Sequence, residues 1–569
     1  METTSVCSWR AAARLIVPCF CCFAFAHSAG AEEAAEGQQA APAPAAALTA
    51  EEQAAADKLI AEHGKAALLP YLRDADMAWP HTRPIVIGVA FTQDKDEYRK
   101  EKEVWEAKLE KVERTIEYLI SKGADANAKS KEKNAWDKTW TPLHEAIRRY
   151  CKLGIIQLLV SKGADVNAND EWRQPWSPLH EAVQHSYYLE IIQFLIAQGA
   201  KVNAKSGLNG ETPLHAALWR GVDLETIQFL VAQGADIHAK GDWGQTPIHH
   251  AVRKIGNLEV VQFLVSKGAD IHVKNQHGNT PFHEVADIEV AEYLISLGTD
   301  VNVKNNDGET PLHEAHSIDI TRYLVSKGAD IHAKNNDGET PLHWAAWRGD
   351  AERCEYFVSQ GADFRAKDKA GGTPLHHTAR GGHIETAQYL VSLGADIHAK
   401  DNSGETPLHW VTNGWWQWGD KVGVAKYFVS LGADAHAKAH NGNTLLHQAA
   451  YGKNLDLVRY AVSLGLDVNA KNNPGNTPLH LAARLNENVE VAEILVSKGA
   501  DVRAKNNRGE TPLHDAAREN KNVEVAKFLV SKGADVDAKA DNGLTPFDMA
   551  VEHKNTAAVE YLDSLPVEE

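Results

Sequence analysis

The sequence predicts an all-α repeat solenoid: a stack of about 13 helix-turn-helix units with β-hairpin tips and an atypical N-terminal cap. Three observations carry that prediction. The tetrapeptide Thr-Pro-Leu-His, or a close relative, begins at positions 141, 177, 212, 246, 280, 310, 340, 373, 406, 444, 477, 511 and 545, at intervals of 30 to 38 residues. Each start leads into apolar residues at helical spacing, as at Leu258, Val261, Leu264 and Val265, the mark of one buried helix face. Each unit then closes on a turn such as Ser161-Lys162-Gly163-Ala164-Asp165, where glycine ends a helix in the left-handed conformation it adopts cheaply. One such unit cannot bury both of its helices alone, so neighbours must stack into a continuous core.

In chain order, residues 1–31 read as a secretory signal peptide. Arg10 and Arg14 supply positive charge, Leu15 to Ala26 an apolar run, and Ala29-Gly30-Ala31 or Ala26-His27-Ser28 a small-residue cleavage point. That run is short for a membrane span of about 20 residues, so membrane attachment is expected only if the signal stays uncleaved. Residues 32–48 are an Ala/Pro-rich spacer expected to be disordered. Residues 49–94 form an N-terminal helical or irregular segment: helical over 49–72 with Thr49 as N-cap, and extended over Ile85 to Phe91. A charged helical stretch in 95–129 reads as an N-terminal capping repeat, and 130–569 as the repeat domain.

Within the unit starting at 246, Thr246 is placed to cap the first helix and take an orphan N–H. Pro247 occupies the first helical position, where its missing N–H costs nothing. Asn305-Asn306-Asp307-Gly308 in another unit is hairpin-turn chemistry. The units at 280–309 and 310–339 lack the residues between their helices, so their first helices must be short. The unit at 406 gains length around Trp415, Trp416 and Trp418. Thr545-Pro546-Phe547-Asp548 drops the histidine before a polar end, as a C-terminal cap should.

A period near 33 with Thr-Pro-Leu-His-x-Ala resembles the ankyrin repeat, and the matching units cover about three quarters of the chain. The resemblance implies that the tetrapeptide histidines, from His144 to His514, hold the fold together. It also implies that hairpin tips and the residues just after Ala-Ala in each first helix line a concave face used for partners. On those positions stand Trp136, Trp140, Trp172, Trp176, Trp219, Arg220, Trp243, Trp347, Arg348, Arg380 and Tyr451. Arg148, Arg149, Arg253, Arg484 and Arg518 share the register. Tryptophan, tyrosine and arginine are the types enriched in binding hot spots. Trp344 and Trp410, directly after the histidine, are expected to pack between repeats.

Other chemistries fare worse. A formal net charge of −18 works against nucleic acid as a partner. Five further histidines, His238, His272, His332, His398 and His436, form a ladder with one rung per unit. Rungs about 8–10 Å apart do not converge on a metal that needs donors about 2 Å away. No metal site and no cofactor is expected. Residues 49–112 contain neither Ser nor Cys, which removes Ser- and Cys-based nucleophiles there, and no catalytic residue stands out. After signal removal Cys151 and Cys354 remain, six units apart and beyond the reach of a disulfide.

The expected function is thus a non-enzymatic, monomeric, extracytoplasmic (periplasmic or secreted) scaffold whose Arg/Trp surface takes an acidic or extended protein segment. Glycan or cell-envelope binding through exposed tryptophans is the alternative, and a metal-dependent hydrolase a distant third.

Overall fold

The computed structural model describes residues 47–74, 110–129, 140–149, 152–169, 176–184, 189–207, 210–254, 257–412, 419–452, 454–485 and 488–565. The signal segment, Ile85 to Phe91, Trp136, Trp172, Cys151 and the Trp415 to Trp418 cluster lie outside the described residues. Each Thr-Pro start from 141 onward heads a pair of helices: a short first one such as Pro213–Arg220, then a second one such as Leu224–Ala232. First helices pack against first helices and second against second along the stack. The tetrapeptide leucines (Leu143, Leu214, Leu312, Leu375) and second-helix residues such as Val261 and Leu264 are fully buried, and all belong to one core running from Ala56 to Ala534. Among the described residues no strand forms. The tips are turns, each closed on itself and linked to the next, as Asn336 N–H donates to Asp307 O at 2.7 Å and Lys369 N–H to Asp337 O at 2.7 Å.

The tetrapeptide does more than the simple cap expected of it. In Thr246-Pro247-Ile248-His249 the threonine and histidine form a capping box, with the His249 N–H facing the threonine hydroxyl. The hydroxyl lies 3.0 Å from His249 Nδ1, and the Thr246 N–H donates to the same nitrogen at 3.1 Å. The opposite ring nitrogen, Nε2, meets the carbonyl of Asn279 in the following unit at 3.1 Å. A carbonyl only accepts, so Nε2 must carry the proton and Nδ1 the lone pair. The same bridge recurs from His144, on Trp176 O at 2.9 Å, to His514, on Leu544 O at 3.2 Å. The last described unit, at Thr545, departs from this pattern. There Asp548 replaces the histidine, accepts from the Thr545 N–H at 2.9 Å, and leaves the threonine oxygen to take the Asp548 N–H at 3.2 Å.

A second clamp comes from asparagine. Asn203 Nδ2 donates to Gly234 O at 2.8 Å, and its Oδ1 accepts from Asp236 N–H at 2.8 Å. Asn127, Asn167, Asn302 and Asn469 do the same. In the same register His238, His272, His332, His398 and His436 are exposed.

At the N-terminus Thr49 caps Ala50–His63 in a capping box with Glu52. Leu68–Asp74 packs on Pro142–Arg148 as first helices do elsewhere. The helix over residues 110–121 adds Val112, Ile116 and Leu119 to the core. Asp125 N–H donates to Lys65 O at 2.9 Å. The opening unit therefore draws on both segments that the sequence reading keeps apart.

The two short units have first helices of four residues, Pro281–Glu284 and Pro311–Glu314. The missing turn after Glu314 is compensated from the next unit. Arg353, 1% exposed, sends its guanidinium across to Leu312 O at 3.2 Å and lies 5.6 Å from the Phe357 ring. Beside it Cys354 is buried as a free thiol.

Two predictions follow from this framework. Replacing Arg353 by Met removes the donor from a buried carbonyl and is expected to cost about 1–3 kcal/mol in a denaturant titration. An unchanged midpoint would show that the short unit does not depend on it. Burial holds His144, His180, His215, His283, His313, His376 and His480 down at about 4 and His343 at about 3. Unfolded imidazoles protonate near about 6.5, so between these values the unfolded chain binds more protons and stability falls with acid. The unfolding midpoint should therefore be level above about pH 7 and drop steeply from about pH 6.5 to 4. A level midpoint across that window would contradict the neutral-ring bridge.

Candidate functional site

The fixed histidine directs the residue after it onto the face formed by the first helices. That position holds Glu145, Glu181, Ala216, His250, Glu284, Glu314, Trp344, His377, Trp410, Gln448, Leu481 and Asp515 in successive units. It is the most varied position of the first helix, and the sequence reading passed over it except at Trp344 and Trp410. Its variation beside an invariant neighbour was the available signal.

Of the residues expected to bind, Trp219, Trp243 and Tyr451 are exposed at 52%, 56% and 52%. Arg220 and Arg380 are also exposed, and Trp347 and Arg348 half-buried. Trp140 is not a contact surface: it is 4% exposed and packs 5.8 Å from the His144 ring, with Arg148 5.4 Å from its own ring. Trp176 is half-buried against His180 at 5.9 Å. Both indoles cover the histidine bridge, which explains why they directly precede the tetrapeptide.

The arginine stripe is largely neutralised. Arg149 pairs with Glu145 at 3.0 Å, Arg253 with Glu284 at 3.8 Å and Arg484 with Glu519 at 2.8 Å. Arg518 meets Glu510 and lies 3.7 Å from Asp515. Arg220 donates to Gln184 Oε1 at 2.9 Å. Arg348 lies 3.8 Å from Glu314 and donates to His316 Nδ1 at 3.0 Å, bracing the end of the preceding short helix. The face therefore does not present the basic strip that its sequence suggests. Burial pushes Glu284, Glu309 and Asp515 up to about 7.

One cavity gathers several of these residues. It measures about 160 Å³ and is lined by Glu339, Trp344, Trp347, His377 and Arg380. Trp344 Nε1 donates to Glu339 Oε2 at 3.0 Å, and His377 Nε2 to Asp368 Oδ2 at 2.8 Å. Trp410 lies 5.3 Å from the His377 ring and donates to Asp401 at 2.9 Å. Thus Trp410 packs between repeats as expected, while Trp344 stays half-buried on the cavity wall, and each indole is held by a carboxylate. Glu339, Asp368 and His377 each offer one donor atom within 4.8 Å of the others, a grouping drawn from outside both histidine ladders.

Residues 105–206, 179–275, 282–368, 342–414 and 417–506 match the family model described as ankyrin repeats (3 copies), and residues 495–550 the one described as ankyrin repeats (many copies). The chain belongs to the ankyrin-repeat family. A search of curated proteins gave no significant match. Ankyrin repeats are generally protein-interaction scaffolds and typically lack enzymatic activity. In this ankyrin stack the variable surface is the one built on the fixed histidine.

Trp243 is set apart from other tip residues by its backbone, with φ of 53°. A bulky residue there is strained. Its ring lies 5.4 Å from His277 while more than half exposed. Trp243→Gly should relieve about 1 kcal/mol of strain, leaving the melting temperature unchanged or higher. A clear fall in melting temperature would mean that the indole is held there for the fold.

Proposed function

We propose that this chain is a non-enzymatic scaffold that holds a protein partner against its first-helix face and tips. The observation that carries this reading is the set of half-exposed aromatics at the ends of the first helices and at a tip: Trp219, Trp243 and Tyr451. Large aromatics left in water gain most when a partner covers them. Arg253 lies 5.5 Å from the Trp219 ring, and that ring meets His250 edge-on at 5.9 Å, so this indole is already oriented for contact.

Charge alters the kind of partner. Arg149, Arg253, Arg348, Arg484 and Arg518 are paired with carboxylates from their own or neighbouring units, and the chain as a whole carries −18. An acidic segment gains little on such a face, whereas a basic one is attracted over a Debye length of about 8–10 Å. We assign the working form to a monomer in the periplasm or outside the cell, on the composition of residues 1–31, and nucleic acid is not its ligand on the same charge argument.

The reading is tested by replacing Trp219, Trp243 and Tyr451 together by Ala. Beside the unaltered chain as bait in an extracytoplasmic fraction, the variant should keep its helical circular dichroism and lose the captured protein by about 30-fold or more. Equal capture by both would sink the surface assignment. Material released by soluble polysaccharide would favour the glycan reading instead.

A further inference from the structure

The cavity beside Trp347 has a chemistry of its own. The rings of Trp344 and Trp347 stand at 75° with centroids 6.0 Å apart, making two walls of a corner. Burial pulls the Asp368 carboxyl upward, but the hydrogen bonds from His377 and from the Gly372 N–H outweigh it and hold the group below the ordinary carboxylate range. An ionised Asp368 only accepts, so His377 Nε2 carries a proton, and in the singly protonated ring Nδ1 keeps a lone pair. That nitrogen lies 3.8 Å from Glu339 Oε1, too far for a direct hydrogen bond. Two acceptors are thus set side by side across a gap. A single donor nitrogen about 2.8 Å from each would close it.

Both acceptors are held in place from behind. Glu339 Oε2 takes Trp344 Nε1 at 3.0 Å and Asn335 Nδ2 at 2.9 Å, and Asp368 Oδ1 takes the Gly372 N–H at 2.7 Å. Aromatic faces, a carboxylate oxygen and an imidazole lone pair all favour a positive, hydrogen-donating guest.

We propose that this corner binds the ammonium group of a lysine side chain on a protein partner. The inference deepens the scaffold reading and rests on it for the source of the lysine. The methylene stem lies along the indoles, and the ammonium bridges Glu339 Oε1 and His377 Nδ1. A divalent cation fits less well. Asp368 is committed to His377, so one imidazole and one carboxylate remain, fewer than the three or four protein ligands of a zinc site. Arg380 at the rim repels a bare ion, but it can donate to the backbone carbonyls that a lysine-bearing segment brings with it.

The test uses the full chain and a capped, glycine-flanked lysine peptide, observed by saturation-transfer NMR. The same peptide with norleucine for lysine, and zinc chloride, serve as the comparison ligands. The expected result is saturation strongest at the lysine ε-methylene and binding at least tenfold weaker for norleucine. Loss of about tenfold is also expected in Glu339→Gln, which keeps an oxygen for Trp344, and in Trp347→Ala. This holds whether or not a partner has been captured, because the probe is read directly. Equal binding of the norleucine peptide would overturn the proposal in favour of an apolar pocket. No lysine binding, or zinc binding at micromolar concentration that is lost in His377→Ala, would overturn it as well.

Discussion

The stack depends on a neutral imidazole with an acceptor on one side and a donor on the other. Each unit is too small to bury its own helices, so its neighbour must be fixed in distance and rotation as well as attracted. Apolar burial is non-directional and cannot do this alone. The ring does. Nδ1 is tied to the Thr N–H of its own unit, Nε2 to a carbonyl of the next, as from His313 to Glu339 O at 3.2 Å. A protonated ring would set an N–H against the threonine N–H, so the bridge and the charge state are one constraint. Asp548 shows the logic by exception: its carboxylate reproduces the inward half of the bridge.

Fixing one residue so firmly frees the next. The side chain after each bridging histidine emerges at a constant place on the first-helix face, and in several units its partner comes from a tip rather than from its own helix. Glu284 takes Gln245 Nε2 at 2.9 Å, Trp410 reaches Asp401, and Gln448 reaches Glu405. Each pair is local to one junction, so the face can change junction by junction without touching the core. This is how a repetitive sequence produces a non-repetitive surface, and it is why the Glu339–His377 corner exists at one place along the stack.

Much of the fold was legible because it is local and periodic. The helix pairs, the four-residue first helices at 280 and 310, and the left-handed Gly268 all follow from spacing and residue type. The surface was less legible because its determinants lie about 30 residues apart. Trp140 reads as a tip residue until the His144 ring is seen beneath it. Arg348 reads as a free cation until Glu314 and His316 of the preceding unit are in place. Arg353 gave no sequence signal at all: an arginine in the apolar register of a second helix makes sense only once the neighbouring first helix is known to stop a turn early.

The pairing of the arginines also decides what selectivity the surface can have. A free guanidinium row would attract any polyanion, with affinity set by charge and lost in salt. Where most of the arginines are met by carboxylates, long-range attraction falls toward the net charge of the chain, and discrimination passes to groups whose hydrogen-bonding capacity faces outward. At the Trp344–Trp347 corner those are acceptors with their other lone pairs already bound, held by a scaffold that cannot relax without breaking a histidine bridge. His343, whose Nε2 meets Ala366 O at 3.1 Å, lies 5.1 Å from the His377 ring and meets it edge-on, so the ring that holds two units together also holds the floor of the cavity. Stability and recognition thus share one element at this junction, and a guest that fits finds the site already organised.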